Sequence, residues 1–269
     1  MTLFQGLLMA GGALLLSARA ASAAEPKQEE KPRVIPRLDQ WEARVYKNAK
    51  GETLPYRLLK PKPYRKNRTY PLVVFLHGMG ERGSDNLAQL DNGVSELFAS
   101  DAARADFPAV VIAPQCPDGE DSQVASWSNW EPDKPAITVP TRLVLEIVEA
   151  VRKEFPIDPS RLYIGGLSMG GFGTWAIITE NPDLFAAAFP ICGGGDPAKA
   201  PRVAKLPLWV FHGAKDTVVD PDQSRRMVRA IQEAGGSPGF SEYPEVGHNS
   251  WTNAFHEPAL LAWLFAQKR

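Results

Sequence analysis

One serine of the sequence stands in a setting that can turn it into a nucleophile. Ser168 is the centre of Gly166-Leu167-Ser168-Met169-Gly170, a G-x-S-x-G pattern. A strand that turns directly into a helix strains the central residue, and glycines two positions away remove the collisions. Residues 162–165 have strand character and residues 170–179 have helix character. We therefore predict a nucleophile elbow, although a glycine-rich turn with a passive serine would give the same pattern.

A serine hydroxyl needs a base that takes its proton, and the chain offers four histidines. His77 and His212 each end an apolar strand and precede a glycine, which predicts structural roles near the rim of a pocket. His256, at the start of the last predicted helix, is expected to cap that helix or to lie at the surface. His248 follows the last predicted strand on a loop, where a base can reach the serine. It is the candidate base.

The imidazole in turn needs a carboxylate that fixes its tautomer and stabilises its charged form. Asp216 closely follows the predicted strand at residues 208–211, and the order serine, aspartate, histidine is the one that a sheet with a nucleophile elbow imposes. Asp220 and Asp222 are the rivals. They lie further from the strand end and are expected to cap the next helix.

Acyl transfer also requires hydrogen-bond donors for the oxyanion of the tetrahedral intermediate. One is expected to be the backbone N–H of Met169, directly after the serine. The other should come from residues 77–80, which follow an apolar strand, and we predict Met79 with Gly80 as the alternative. A glycine-rich turn that only ends the strand is compatible with the same residues.

The elements that must position these side chains alternate along the chain. Short apolar runs predict buried strands, spaced stripes of apolar residues predict helices, and a turn at residues 48–51 predicts a hairpin. The strands are expected at residues 72–76, 109–113, 162–165, 186–191, 208–211 and 239–243, the helices at 139–155, 170–179 and 258–267, and the hairpin at 41–46 and 53–59. This alternation indicates a mostly parallel α/β sheet with helices on both faces.

The N-terminus differs in composition from the rest of the chain. An apolar run at residues 6–16 is followed by Ala21-Ser22-Ala23, so residues 1–24 are predicted to be a signal peptide and the protein to be secreted or periplasmic. An amphipathic or disordered tail is the alternative, and a membrane span would need about 20 apolar residues. Residues 25–38, charged and rich in proline, are predicted to be a linker, and residues 39–269 a catalytic domain.

Charge and cysteine content limit the kinds of partner, disulfide and metal site that we expect for this chain. Lys and Arg total 30 against 31 for Asp and Glu, so no basic surface favours nucleic acid. Cys116 and Cys192 are expected on strands separated by others, which argues against a disulfide and for two small buried residues. Neither has the neighbours of a metal site. Oligomeric state stays open at this stage.

Four blocks of the sequence together resemble a known family. They are residues 75–83 (FLHGMGERG), 166–171 (GLSMGG), 212–216 (HGAKD) and 247–249 (GHN). The set is similar to the phospholipase/carboxylesterase group of α/β-hydrolases, whose relatives include dienelactone hydrolases, feruloyl-type esterases and the catalytic domains of prolyl oligopeptidases. The resemblance extends from about residue 41 to the C-terminus. It implies an eight-stranded sheet that begins with the hairpin, and no metal or organic cofactor.

Two features bear on the substrate. Residues 192–207, between two predicted strands, are too few for the cap domain that larger relatives carry there, so an open site is expected. Trp127 and Trp130 fall in the loop after the second core strand, and Trp251 lies just after His248. These tryptophans can form a platform for an aromatic or sugar ring, or they can pack the loops onto the body.

The function expected from these residues is hydrolysis of carboxylic esters through an acyl-enzyme. Short-chain esters and acetyl or feruloyl esters of carbohydrate, free or polymer-linked, are the candidate substrates. The alternatives are a serine peptidase similar to prolyl oligopeptidases, a binding module of the same fold without catalysis, and acyl transfer to an alcohol. The peptidase ranks below the esterase because nothing in the chain supplies a gating propeller domain. A binding module usually lacks a triad member, and here all three are present.

Overall fold

A computed structural model describes residues 33–129 and 137–269 of the chain. The predicted signal peptide and residues 25–32 of the predicted linker lie outside these ranges, so export stays a prediction. The compact unit begins at Val34. Ile35 is buried in the core, and the carbonyl of Pro36 accepts a hydrogen bond from the Ser95 hydroxyl. The end of the predicted linker therefore packs on the domain, ahead of residue 39.

In the described residues, eight strands form one sheet, in the order β1-β2-β4-β3-β5-β6-β7-β8. The two strands of the hairpin are antiparallel to each other, β2 is antiparallel to β4, and all other neighbours are parallel. The strands are β1 (Trp41–Lys47), β2 (Thr53–Leu59), β3 (Tyr70–Leu76), β4 (Val110–Pro114), β5 (Ile157–Leu167), β6 (Ala187–Ile191), β7 (Trp209–Gly213) and β8 (Gly239–Tyr243). The expected mostly parallel, eight-stranded sheet is confirmed.

Helices cover the sheet on both faces. They are α1 (Val94–Ala99), α2 (Asp101–Asp106), α3 (Ser122–Ala125), α4 (Val139–Glu154), α5 (Met169–Glu180), α6 (Asp222–Glu233), α7 (Trp251–Phe255) and α8 (Leu260–Ala266). Helices α4, α5 and α6 bury their apolar faces in one core cluster, and α1, α7 and α8 in the other. Strand β3 contributes to both, because Leu72 and Val74 face the first cluster while Val73 faces the second.

The residues at the start of α4 explain why this helix begins where it does. The Thr138 hydroxyl accepts a hydrogen bond from the N–H of Thr141, and the Thr141 hydroxyl accepts one from the N–H of Thr138. This reciprocal cap satisfies two N–H groups that have no partner inside the helix. Pro140 occupies the first turn, where a missing N–H costs nothing. The buried stripe of α4 then follows the predicted periodicity.

Three further expectations concern features around the sheet. The connection from β6 to β7 contains only a short 3₁₀ segment, Pro197–Val203, so no cap domain is inserted there. Cys116 and Cys192 are both buried and unpaired, as predicted. None of the helices in the described ranges is long and apolar enough to cross a membrane.

Candidate active site

The turn between β5 and α5 holds Ser168 in an unusual backbone conformation. Its φ is 53° and its ψ is −117°, a region that serine rarely occupies. A Cβ on Gly166 would lie 2.4 Å from the carbonyl oxygen of Gly170, and a Cβ on Gly170 only 2.0 Å from that of Leu76. Both glycines are therefore required by backbone contacts. The predicted elbow is present, and it exposes the serine hydroxyl where a helix begins.

The three side chains of the predicted triad come together at the carboxyl ends of the parallel strands. His248 Nε2 lies 2.9 Å from Ser168 Oγ, and His248 Nδ1 lies 2.7 Å from Asp216 Oδ2. The other carboxylate oxygen of Asp216 accepts the backbone N–H groups of Val218 and Val219, both at 2.9 Å. Because a carboxylate only accepts hydrogen bonds, His248 donates from Nδ1 and keeps Nε2 free to accept the serine proton.

The charge of Asp216 is stabilised from two sides. Its side chain is fully buried, and burial alone would raise the pKa of the carboxyl. The hydrogen bond from His248 and the N–H groups of Val219 and Val218 outweigh this effect and hold the pKa below its usual value. Asp216 is therefore ionised at neutral pH and can stabilise an imidazolium at His248.

The rival residues lie elsewhere. Asp220 accepts the N–H of Asp222 just before α6, and Asp222 is the first residue of that helix and pairs with Arg226. The cap position is occupied by Pro221, so neither aspartate caps α6 as predicted. His77 and His212 are buried, as expected of structural histidines. His256 is exposed, as expected for a surface residue. It directly follows α7 and lies before α8, so it does not begin the last helix as predicted.

The loop after β3 lies against the nucleophile. A Cβ on Gly78 would be 3.7 Å from the Cβ of Ser168 and 2.8 Å from a methyl carbon of Leu167, so a larger residue there would require the Leu167 side chain to move. Met79 begins the 3₁₀ turn that follows, and Met169 begins α5. Both predicted oxyanion donors are thus on segments that flank Ser168. Their role as donors stays a prediction.

Side-chain hydrogen bonds fix the position of the loop after β3. Asn92 Nδ2 donates to Glu81 Oε1 at 2.9 Å, and the buried Gln115 donates to the carbonyl of Glu81 at 3.1 Å. The Arg82 guanidinium donates to the carbonyl of Gly119 at 2.8 Å. A loop pinned in this way keeps its N–H groups in place without reorganisation when charge develops nearby.

A cavity of about 560 Å³ opens above Ser168 and His248. Its walls combine apolar and polar side chains: Met79, Leu167, Phe172, Val218, Val219, Trp251, Glu81, Asn92, Asp220 and Gln223. Met79 and Val218 are 53% and 71% exposed, so the rim of the cavity is an open apolar surface. A larger cleft of about 810 Å³ between α1–α2 and α7–α8 contains none of the three triad residues, so volume alone does not identify the site.

The three tryptophans that the sequence suggested as a substrate platform differ in their positions. Trp251 lines the cavity, and its ring meets that of His248 edge-on at 5.4 Å. Trp127 is 0% exposed and donates its indole N–H to the carbonyl of His77, so it packs the loop onto the body and the platform interpretation is wrong for this residue. Trp130 lies outside the described residues.

Several cavity residues were not found from the sequence. Phe172 lies one turn after Ser168 on α5, and Val218 and Val219 lie two and three residues after Asp216, so proximity to the motifs was an available signal. Asn92, in a left-handed turn with φ 56°, carried no such signal. Its position depends on contacts between distant segments.

The donor atoms of Cys192, Asp216 and His248 lie within 4.8 Å of one another, the one such group with metal-ligand chemistry among the described residues. Asp216 and His248 are engaged with each other, and burial raises the pKa of the Cys192 thiol to about 12. The thiolate that a metal would need is therefore scarce at neutral pH.

Comparisons with known proteins decide the family. The family model Esterase, described as "Putative esterase", matches residues 48–253. The chain belongs to the Esterase family. A solved structure entitled "Crystal Structure of a Thermostable Esterase" is 40% identical with a TM-score of 0.80 over 86% of this chain and 64% of that one. The expected relationship to α/β-hydrolase esterases is confirmed.

Two curated relatives of this Esterase-family chain carry names that mention substrates. The "Bifunctional acetylxylan esterase/xylanase XynS20E" of Neocallimastix patriciarum is 28% identical over 73% of the chain, and the chain spans only 26% of its length. "Probable feruloyl esterase C" of Aspergillus niger (strain ATCC MYA-4892 / CBS 513.88 / FGSC A1513) is 26% identical over 73% of the chain and 67% of the relative. Both names refer to ester chemistry.

Proposed function

We propose that this protein hydrolyses carboxylic esters through an acyl-enzyme formed on Ser168. The observation that carries the proposal is the chain of contacts from Ser168 Oγ to His248 at 2.9 Å and from His248 to Asp216 at 2.7 Å, on a strained elbow beside a pinned loop. Membership of the Esterase family supports the same reaction class.

In the proposed mechanism Ser168 Oγ attacks the ester carbonyl while His248 Nε2 takes the hydroxyl proton. The N–H groups of Met79 and Met169 stabilise the oxyanion, and Asp216 stabilises the imidazolium. His248 then gives the proton to the leaving alcohol. Water, deprotonated by the same imidazole, attacks the acyl-enzyme, and release of the acid returns Ser168 to its starting state.

We propose short-chain, acetyl or feruloyl esters of carbohydrate as the substrates. The cavity is open, its rim is apolar at Met79 and Val218, and Trp251 offers an aromatic face beside His248. An open rim suits an ester on a bulky or polymeric carrier. The names of the two curated relatives, which mention acetylxylan and feruloyl esters, favour the same range of substrates.

The test is hydrolysis of p-nitrophenyl esters from acetate to palmitate, together with a feruloyl ester. Ser168→Ala is expected to lose more than about 10³-fold in kcat, because none of the other described residues that line the cavity carries a hydroxyl. Ser122→Ala, in α3 outside the cavity, is the matched control and is expected to keep wild-type rates. The acyl preference separates carbohydrate-type from lipid-type esters. Folded protein that turns over none of these esters would overturn the proposal and favour peptide hydrolysis or binding without catalysis.

A further inference from the structure

A second imidazole contacts the carboxylate of Asp216. His212 Nε2 lies 3.3 Å from Asp216 Oδ2, the same oxygen that accepts the hydrogen bond from His248 at 2.7 Å. The side chains of His212 and Asp216 are both 0% exposed. A polar group this deeply buried needs hydrogen-bond partners, and the partners of His212 decide which of its nitrogens carries a proton.

The Nε2 atom of His212 is surrounded by acceptors. It lies 3.1 Å from the carbonyl oxygen of Val219 and 3.3 Å from Asp216 Oδ2, neither of which can donate. A proton on Nε2 satisfies both contacts, whereas a lone pair there would be repelled by both. His212 is therefore assigned the Nε2–H form.

The other nitrogen of the ring faces a hydroxyl. His212 Nδ1 lies 2.8 Å from Ser224 Oγ, which is also 2.9 Å from the carbonyl of Gly193. Burial lowers the pKa of His212, so the ring is neutral at neutral pH. The single Ser224 proton can go to the Gly193 carbonyl or to Nδ1 but not to both, and the two acceptors at Nε2 favour the form in which Nδ1 receives it. The ring is thus held from α6 on one side and donates to the Asp216 segment on the other.

We propose that His212 is a positioning residue, which holds the Asp216 carboxylate and the cavity wall at Val219 through one shared Nε2–H. This inference rests on the proposed function, since it assigns a role within the same triad. The Nε2–H dipole, 3.3 Å from Oδ2, limits where that oxygen can lie and reduces its basicity, so Asp216 attracts the His248 imidazolium less strongly. The titratable groups facing this network in the described structure are Asp216, His248 and Cys192.

Two substitutions separate the two sides of the ring. In His212→Gln the side-chain amide nitrogen can reach the place of Nε2, whereas in His212→Asn it can reach only the place of Nδ1. We expect His212→Gln to keep kcat within about tenfold and to keep the pH profile. In His212→Asn the Asp216 carboxylate loses a donor and binds the imidazolium more tightly. The acid limb of kcat/KM is then expected to move to higher pH by about half a unit to one unit.

Ser224→Ala is the control for the other side of the ring, and it is expected to leave the acid limb in place. If Asn and Gln give the same profile, or if kcat falls in both without any shift, His212 only packs and the inference is overturned. An active Ser168→Ala would instead overturn the proposed function, so the two failures are distinguishable.

A measurement on the wild-type protein tests the inference even if the His212 variants do not fold. Nitrogen-15 NMR of labelled histidine distinguishes a protonated from an unprotonated ring nitrogen. At neutral pH we expect His212 to show a proton on Nε2 and none on Nδ1. A spectrum with the proton on Nδ1 would remove the donor on which the inference depends.

Discussion

The exchange Asp216→Asn tests whether the triad depends on a tautomer. Oδ1 of Asp216 accepts the N–H groups of Val218 and Val219, and these two donors will hold the amide oxygen of an asparagine in the same place. The amide nitrogen must then face His248 Nδ1, while the His212 Nε2–H on the same side keeps the Val219 carbonyl, at 3.1 Å, as its acceptor. Two donors cannot pair, so the ring will accept at Nδ1 and carry its proton on Nε2, where it can no longer take the proton of Ser168.

The size of the effect follows from this reversal. A base in the wrong tautomer at an otherwise intact site costs about 10⁴-fold in kcat, or about 5 kcal/mol of activation free energy. The loss should appear in kcat of a soluble p-nitrophenyl ester. Because the amide is isosteric with the carboxylate, the near-ultraviolet circular dichroism of Asp216→Asn should match that of the wild type.

The matched control is Asp222→Asn, since Asp222 is the rival acid at the start of α6, where it pairs with Arg226 at the surface. It is expected to keep kcat within about twofold. A loss below about tenfold in Asp216→Asn would refute the tautomer argument. An equal loss in both variants would show that the effect is not specific to the carboxylate beside His248.

Two further predictions concern stability. Gly170→Ala is expected to lower the free energy of unfolding by about 3 kcal/mol or more in urea titrations, because its Cβ would meet the Leu76 carbonyl at 2.0 Å. Gly80→Ala, where nothing lies within 4 Å of the added carbon, should change it by less than about 0.5 kcal/mol; equal effects would contradict the clash. Burial lowers the pKa of His77 from 6.5 to about 4, so below pH 6.5 the unfolded chain takes up a proton that the folded chain refuses. Stability should therefore fall by about 2 kcal/mol between pH 7 and pH 5, and less in His77→Gln; parallel curves would argue against this histidine as the cause.

The sequence was most informative where function and local geometry coincide. Buried parallel strands are continuous apolar runs, so the β3 and β4 strands could be located without a structure. The elbow at Ser168 was predictable because its two glycines stand at a fixed spacing around the serine within one strand–turn–helix unit, even though the Leu76 carbonyl that excludes a Cβ at Gly170 belongs to β3. Both patterns are formed by residues close together in the chain.

Features that depend on distant segments could not be derived in this way. Trp127 is in a polar loop, yet it is buried because its indole N–H reaches the carbonyl of His77. The contact of Ser224 with His212 Nδ1 likewise depends on how α6 packs against the end of β7. Neither pairing has a periodicity or a spacing that a sequence could reveal, since each is set by how elements pack after the sheet has formed.

The two unpaired cysteines bear on how the stability of this fold depends on the redox state of its surroundings. Cys116 and Cys192 are the only cysteines of the chain, and both are buried and free. No covalent bond of the native state thus depends on the reduction potential of the surroundings. Neither an oxidising folding compartment nor a disulfide isomerase is required, and dithiothreitol should leave the midpoint of thermal unfolding unchanged. We therefore expect the same midpoint for protein prepared in a strongly reducing, anaerobic medium and in an aerated one.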